Sequence, residues 1–276
     1  MRTANPTFKA FSQPQTWADA HGRDSLAEGR ANVMTIGGTV TATSILLGVC
    51  VAGAVGSWSL ATSEAYGKFA WPVGIGGMIV GLVLALVITF KPKTARFLAP
   101  LYAAAEGLFL GVFSFMVGNM VAAKTGAGTA AEGLQIGQTL VLQAITLTFA
   151  ITAGMLFAYA SGIIKPGRVF RAVVISGVIG AMLFGLVAFG LAIFGNSTLI
   201  SVYSPTNGGM ISVGFSVLMV VIASLVLVLD FEFIAKGVKA QLPRHMEWYA
   251  GFSLLVTLVW LYIEILRLLA KLRSGD

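Results

Sequence analysis

Seven apolar stretches, each near the ~20 residues that a helix needs to cross a bilayer, dominate the chain and leave it little choice of fold. They run over residues 37–60, 70–90, 97–121, 136–159, 169–194, 208–234 and 248–269. Within hydrocarbon every backbone donor and acceptor must be satisfied by the segment itself, so stretches of this length predict membrane-spanning α-helices. Composition agrees: only 11% of the residues are charged and mean hydropathy is +0.88, whereas soluble domains carry about 25% charge. The fold class expected is an all-α membrane protein with seven transmembrane helices. Short connections predict antiparallel neighbours in one bundle, and no internal repeat marks an inverted-repeat transporter.

Residues 1–34 read as a polar cytoplasmic tail ahead of a seven-helix domain over 35–276, with some helix expected near Trp17 to Asn32. The tail holds no apolar core of signal-peptide type, so the first span is expected to be retained. Lys and Arg fall thirteen in the tail and the second, fourth and sixth connections, against two, Lys68 and Lys124, in the opposite ones. The positive-inside rule then places the N-terminus in the cytoplasm. The C-terminal end runs against that rule: seven spans put it outside, yet it carries Arg267, Lys271 and Arg273.

The net charge of +7 is spread in short clusters at the membrane surface without a nucleic-acid motif, so lipid rather than nucleic acid is the expected partner. Cys50 is the lone cysteine, and His21 and His245 lie far apart in polar segments. Neither a disulfide nor a zinc or haem site is expected, and no cofactor.

Ionisable groups within spans are costly, at about 2.5–3.5 kcal/mol each on insertion scales, and are functional candidates for that reason. Four stand out: Glu106, Asp230, Glu264 and Arg267. Glu264 and Arg267 are three residues apart, which puts them on one helix face; they read either as a neutralised pair or as a carboxylate open to protons and cations. Asp230 ends the run Val226-Leu-Val-Leu and reads either as a buried acid or as one reaching surface water, with Glu232 nearer still to the loop. Glu106 precedes Gly107 and Gly111, a spacing that lets a neighbouring helix come close. No enzyme is expected. Asp230 lacks the Gly-x-Gly-Asp setting of intramembrane aspartyl proteases, no HExxH or serine–histidine site occurs, and a retinal lysine is missing from the middle of the last span.

The segments Asp230-Phe-Glu-Phe-Ile-Ala-Lys-Gly and Glu247-Trp-Tyr-Ala-Gly-Phe-Ser through Trp260-Leu-Tyr-Ile-Glu-Ile-Leu-Arg-Leu-Leu resemble the bacterial branch of the Bax-inhibitor family, the transmembrane Bax-inhibitor-motif proteins. Arg2-Thr-Ala-Asn-Pro6, Met34-Thr-Ile-Gly-Gly-Thr39 and Glu106-Gly-Leu-Phe-Leu-Gly are similar to that branch too, so the resemblance spans the chain. It implies six helices around a central C-terminal seventh, in a bacterial inner membrane. It implies an acidic pair on the sixth and seventh helices that senses protons and gates a calcium leak, with calcium as permeant ion held transiently between the acids. The matching positions are Asp230 and Glu264, supported by Glu106 and Arg267. A second implied role is a regulator that binds a membrane protease or another membrane protein, for which the N-terminal tail is a candidate contact.

Three departures from the family pattern are visible: Glu at the second acid where better-studied relatives have Asp, a longer sixth-to-seventh connection with Pro243 and His245, and no counterpart of the family's arginine on the second helix. Two carboxyls held close in an apolar site titrate as a unit and share a proton. Helix depth alone sets Asp230 and Glu264 roughly 24 Å apart at 1.5 Å per residue. Contact requires the last helix to start deeper than Trp248 or the sixth to run past Ile234.

Overall fold

The computed structural model describes residues 33–275. The expected helix near Trp17 to Asn32 and all but the last two residues of the expected tail lie outside the described residues. Among the described residues seven helices cross from face to face: α1 (Ile36–Thr62), α2 (Ala70–Phe90), α3 (Ala95–Thr125), α4 (Ala130–Ala160), α5 (Arg168–Ile193), α6 (Met210–Lys239) and α7 (Met246–Gly275). All seven are long and apolar enough to span a membrane. Each contains its predicted span to within a residue or two, and several run beyond it. α3, α6 and α7 carry on by four to six residues through Lys124, Lys236, Lys239 and Arg273, because a helix does not stop where hydropathy fades.

Local chemistry fixes the ends. Thr35 caps α1 by accepting from the Gly38 amide at 2.9 Å. Thr129 does the same for Glu132 at the start of α4, while Glu132 reaches back to the Gly128 amide at 2.8 Å, a reciprocal cap. Gly126 ends α3 with φ 76°, a left-handed conformation that costs glycine nothing. Before α1, the Met34 amide donates to the Leu242 carbonyl at 2.7 Å, and Val33 bridges Pro243. Glu247 completes this seam: its Oε1 accepts from both the amide and the hydroxyl of Thr35, at 2.9 and 2.8 Å. The root of the N-terminal tail is thereby fastened to the α6–α7 turn.

Two helices, not one, share the interior. Over their most apolar windows α3 is 56% buried and α7 50%, the two highest values in the bundle. One packing cluster joins Val117, Leu140, Leu227, Leu261 and Ile265 of α3, α4, α6 and α7. The other joins Leu46, Ile88, Ala103, Leu110 and Leu255 of α1, α2, α3 and α7. The ring of six around a lone C-terminal helix is thus replaced by a central α3–α7 pair. The cause is the small-residue face of α3. A Cβ on Gly107 would lie 2.2 Å from the Cys50 carbonyl oxygen, and one on Gly111 2.1 Å from that of Ala54, so α1 seats directly on the α3 backbone. α5 is the outermost helix. It packs along α6 through Phe184, Tyr203 and Phe215, the first and last with ring centroids 4.9 Å apart.

Basic residues gather on the face that holds the α2–α3, α4–α5 and α6–α7 turns. There Glu232 is clamped by Arg171 from α5 and by Lys236 at 2.7 Å, so it is an acid of the membrane surface.

Candidate functional site

α6 and α7 run antiparallel, and the polar residues of both helices face each other along the seam between them. Near the basic face sits Asp230, only 7% exposed. Its Oδ1 accepts from the Ser253 hydroxyl at 2.8 Å. Its Oδ2 is buried with no hydrogen-bond partner among the described residues. An oxygen left open in an apolar interior is costly, and the cost is relieved by a proton or by a cation.

Deeper along the seam, Leu227, Ala223, Leu261 and Ile265 close it with hydrocarbon. Beyond this plug lies Glu264, 4% exposed. Both of its oxygens accept from Nη1 of Arg267, at 2.8 and 2.9 Å. The Arg267 guanidinium in turn lies 5.3 Å from the centroid of Tyr203, in the short 3-10 turn Ile200–Tyr203 before α6. Burial, and then the Glu264 charge, push the Tyr203 phenol above its ordinary range against the pull of Arg267, so the ring faces the cation as a neutral phenol.

The two acids therefore do not form a pair. Ser253 stands where the second carboxyl was expected, and Glu264 lies eleven residues further along α7, about 16 Å at 1.5 Å per residue. α6 does run past Ile234, to Lys239, but α7 starts at Met246, earlier than Trp248 rather than deeper. The extension of α6 alone does not bring the two acids together, because Ser253 and not Glu264 lies at the level of Asp230. Glu106 stands elsewhere again, on the face of α3 toward α2, where a Cβ on Gly81 would lie 3.0 Å from its Oε2. Among the described residues no three His, Cys, Asp or Glu side chains come together to hold a metal. The transient calcium site expected between Asp230 and Glu264 has no shared cage.

Lys271 is the residue that sequence reasoning missed. It is fully buried, and its ammonium donates to the Val202 carbonyl at 2.6 Å, the Ser212 carbonyl at 3.0 Å and the Ser216 hydroxyl at 2.8 Å. A signal for it existed. Ser253 to Lys271 is eighteen residues along α7, and Asp230 to Ser212 is eighteen along α6. Eighteen residues is five turns at 3.6 per turn, so one register brings both pairs face to face. The Val202 carbonyl had no sequence signal, because it depends on how the α5–α6 connection folds back. Lys271 also accounts for the basic C-terminal end: α7 crosses fully, and its Gly275 meets Gly208 on the face opposite Val33 and Met34. Two of its three terminal cations are held inside protein rather than in a loop.

Lys271→Met is expected to change stability by no more than about 1 kcal/mol, because a buried charge without a counter-ion among the described residues is replaced by hydrocarbon of similar length. Its acceptors re-pair: the Ser212 hydroxyl already donates to Val202 at 2.9 Å, and Ser216 can bond the carbonyl one turn back. Lys271→Ala, which leaves a void, should cost several times more. Unfolding of both variants in mixed micelles measures the difference.

No curated protein and no solved structure matches the chain. The family model described as Bax inhibitor 1 like matches residues 5–274, which takes in all seven helices together with Asp230, Glu264 and Lys271, and on that match the chain belongs to the Bax inhibitor 1-like family.

Proposed function

We propose that this chain is a pH-responsive cation leak protein, with calcium the permeant ion, in which Asp230 acts without a partner carboxyl. The observation that carries this is the Asp230 oxygen buried with nothing to satisfy it among the described residues. Proton and cation are alternative ways to fill that position, so they compete for it. The Ser253 hydroxyl holds the other oxygen in place, and calcium, which takes six to eight oxygens, would draw the rest from water as the α6–α7 seam parts. The hydrocarbon plug around Leu227 and Leu261 makes the arrangement described above the closed state. In this reading the basic face lies in the cytoplasm, which the positive-inside rule supports, and the membrane is a bacterial inner membrane, as the resemblance to the bacterial branch implies. No catalytic step and no cofactor is assigned.

The test is calcium flux into liposomes holding the pure protein, from mildly acidic to mildly alkaline pH. The wild type should leak with a rate that follows pH. Asp230→Asn should leak at a rate that does not. A pH response unchanged by this substitution would overturn the assignment of Asp230.

A second role is favoured by the tail root. Thr35 and Glu247 tie it to the first turn of α7, so a membrane protease or other membrane protein that binds residues 1–34 would pull on the helix that carries Ser253. Capture of such a partner by the full chain, and not by a chain lacking the tail, would support that regulatory role.

A further inference from the structure

A groove opens sideways between α1 and α4, floored by α3 and α7, with a cavity of about 450 Å³. Its walls are hydrocarbon, chiefly Val51 and Val55 of α1, Leu142 and Phe149 of α4, and Leu255 and Leu258 of α7. The polar atoms in its floor ask for nothing: the Ser114 and Tyr262 hydroxyls bond each other at 2.8 Å. At one end stand Trp58 and Gln138.

We infer that this groove holds one acyl chain of a membrane lipid, with the Gln138 amide bonded to the ester that begins the chain. Three observations carry the inference. The first is length. Along α1 the groove runs from Leu47 to Trp58, eleven residues, or about 16 Å at 1.5 Å per residue. One leaflet of a bilayer with a core of about 30 Å is about 15 Å deep. The groove therefore fits a single chain of a single leaflet.

The second is depth. α4 has 31 residues, about 46 Å of helix, and overshoots the hydrocarbon by roughly 8 Å at each end. Gln138 lies eight residues in, about 12 Å, so its Cα sits about 4 Å below the boundary, from where the side chain reaches the lipid esters at the interface. Trp58, four residues before the end of α1, stands at the interface that suits an indole. The third is chemistry. The Gln138 side chain is exposed on a membrane-spanning helix and has no hydrogen-bond partner among the described residues. An amide at the edge of the hydrocarbon needs an acceptor, and a lipid ester carbonyl is the acceptor within its reach. The inference does not depend on cation leak.

The test uses the full chain in vesicles of dioleoylphosphatidylcholine, doped with a phosphatidylcholine that carries a diazirine in mid-chain, ester-linked in one arm and ether-linked in the other. After irradiation, adducts are mapped by peptide mass. The ester probe should label the groove residues of α1 and α4 several-fold more densely than the lipid-facing surfaces of α2 and α5. That excess should vanish in a variant with Val51→Phe and Leu142→Phe, both exposed positions on the rim whose enlargement fills the groove and leaves the core intact. It should fall with the ether probe, and with the ester probe on Gln138→Leu. Equal labelling of groove, α2 and α5 would overturn the site, as would an excess that survives the filled groove. Equal groove labelling by ester and ether probes would overturn the Gln138 contact.

Discussion

Glu264→Gln should destabilise the protein by about 3–5 kcal/mol, the cost of leaving one member of a buried ion pair without the other. Glu264 takes both of its contacts from Arg267, and the two side chains are 6% and 15% exposed. With the carboxylate gone, the guanidinium keeps, among the described residues, only the Tyr203 ring. Adding Arg267→Met removes the orphaned charge, and the double variant should recover most of the loss. Denaturation of wild type, single and double variants in mixed micelles gives the comparison. A single variant as stable as the wild type, or a double variant no better than the single, would show that this intrahelical pair does not stabilise α7. Calcium flux adds a second readout: the pH response should persist in Glu264→Gln molecules that remain folded.

Replacing both Gly107 and Gly111 by leucine should cost about 2–6 kcal/mol, taking overpacking at about 1–3 kcal/mol for each position. A first side-chain carbon at either site would overlap a backbone carbonyl of α1 at just over 2 Å. Backbone cannot turn aside as a flexible side chain does, so α1 must lift from α3 as a whole. That would open the cluster of Leu46, Cys50 and Leu110. Loss of stability in the same micelle assay, with the helix content of the remaining folded protein unchanged, is the expected result. A variant with wild-type stability would contradict the close approach of α1 and α3.

How legible was this in the amino-acid order? The spans were, because a membrane makes hydropathy nearly equivalent to location. The close approach near Glu106 was as well, since Gly107 and Gly111 share a helix face. What hydropathy does not encode is where a helix stops after leaving hydrocarbon, and from this follows the error at the site. The levels of Asp230 and Glu264 depend on how far α6 runs beyond Ile234 and how tightly residues 240–245 turn. Those residues turn through Gln241 at φ 51° and are tied at Leu242 to Met34, while Thr35 bonds Glu247 just beyond them. Their closure puts Ser253, a residue with no charge to draw attention, opposite Asp230. Lys271 was hidden for a related reason. At a helix end a lysine reads as a surface anchor, and only the fold of the α5–α6 connection, which brings Val202 inward, makes it a buried donor with three acceptors. Of the two alternatives left open for Glu264, the neutralised pair is the one the structure contains.

Infrared difference spectroscopy of the carboxyl stretch, taken across the pH interval in which the leak changes, separates one acting acid from two most directly. If Asp230 alone exchanges a proton for a cation, the carboxyl band that responds to pH and to added calcium is absent from Asp230→Asn and undiminished in Glu264→Gln. A band that survives in the first variant and disappears from the second would contradict the account.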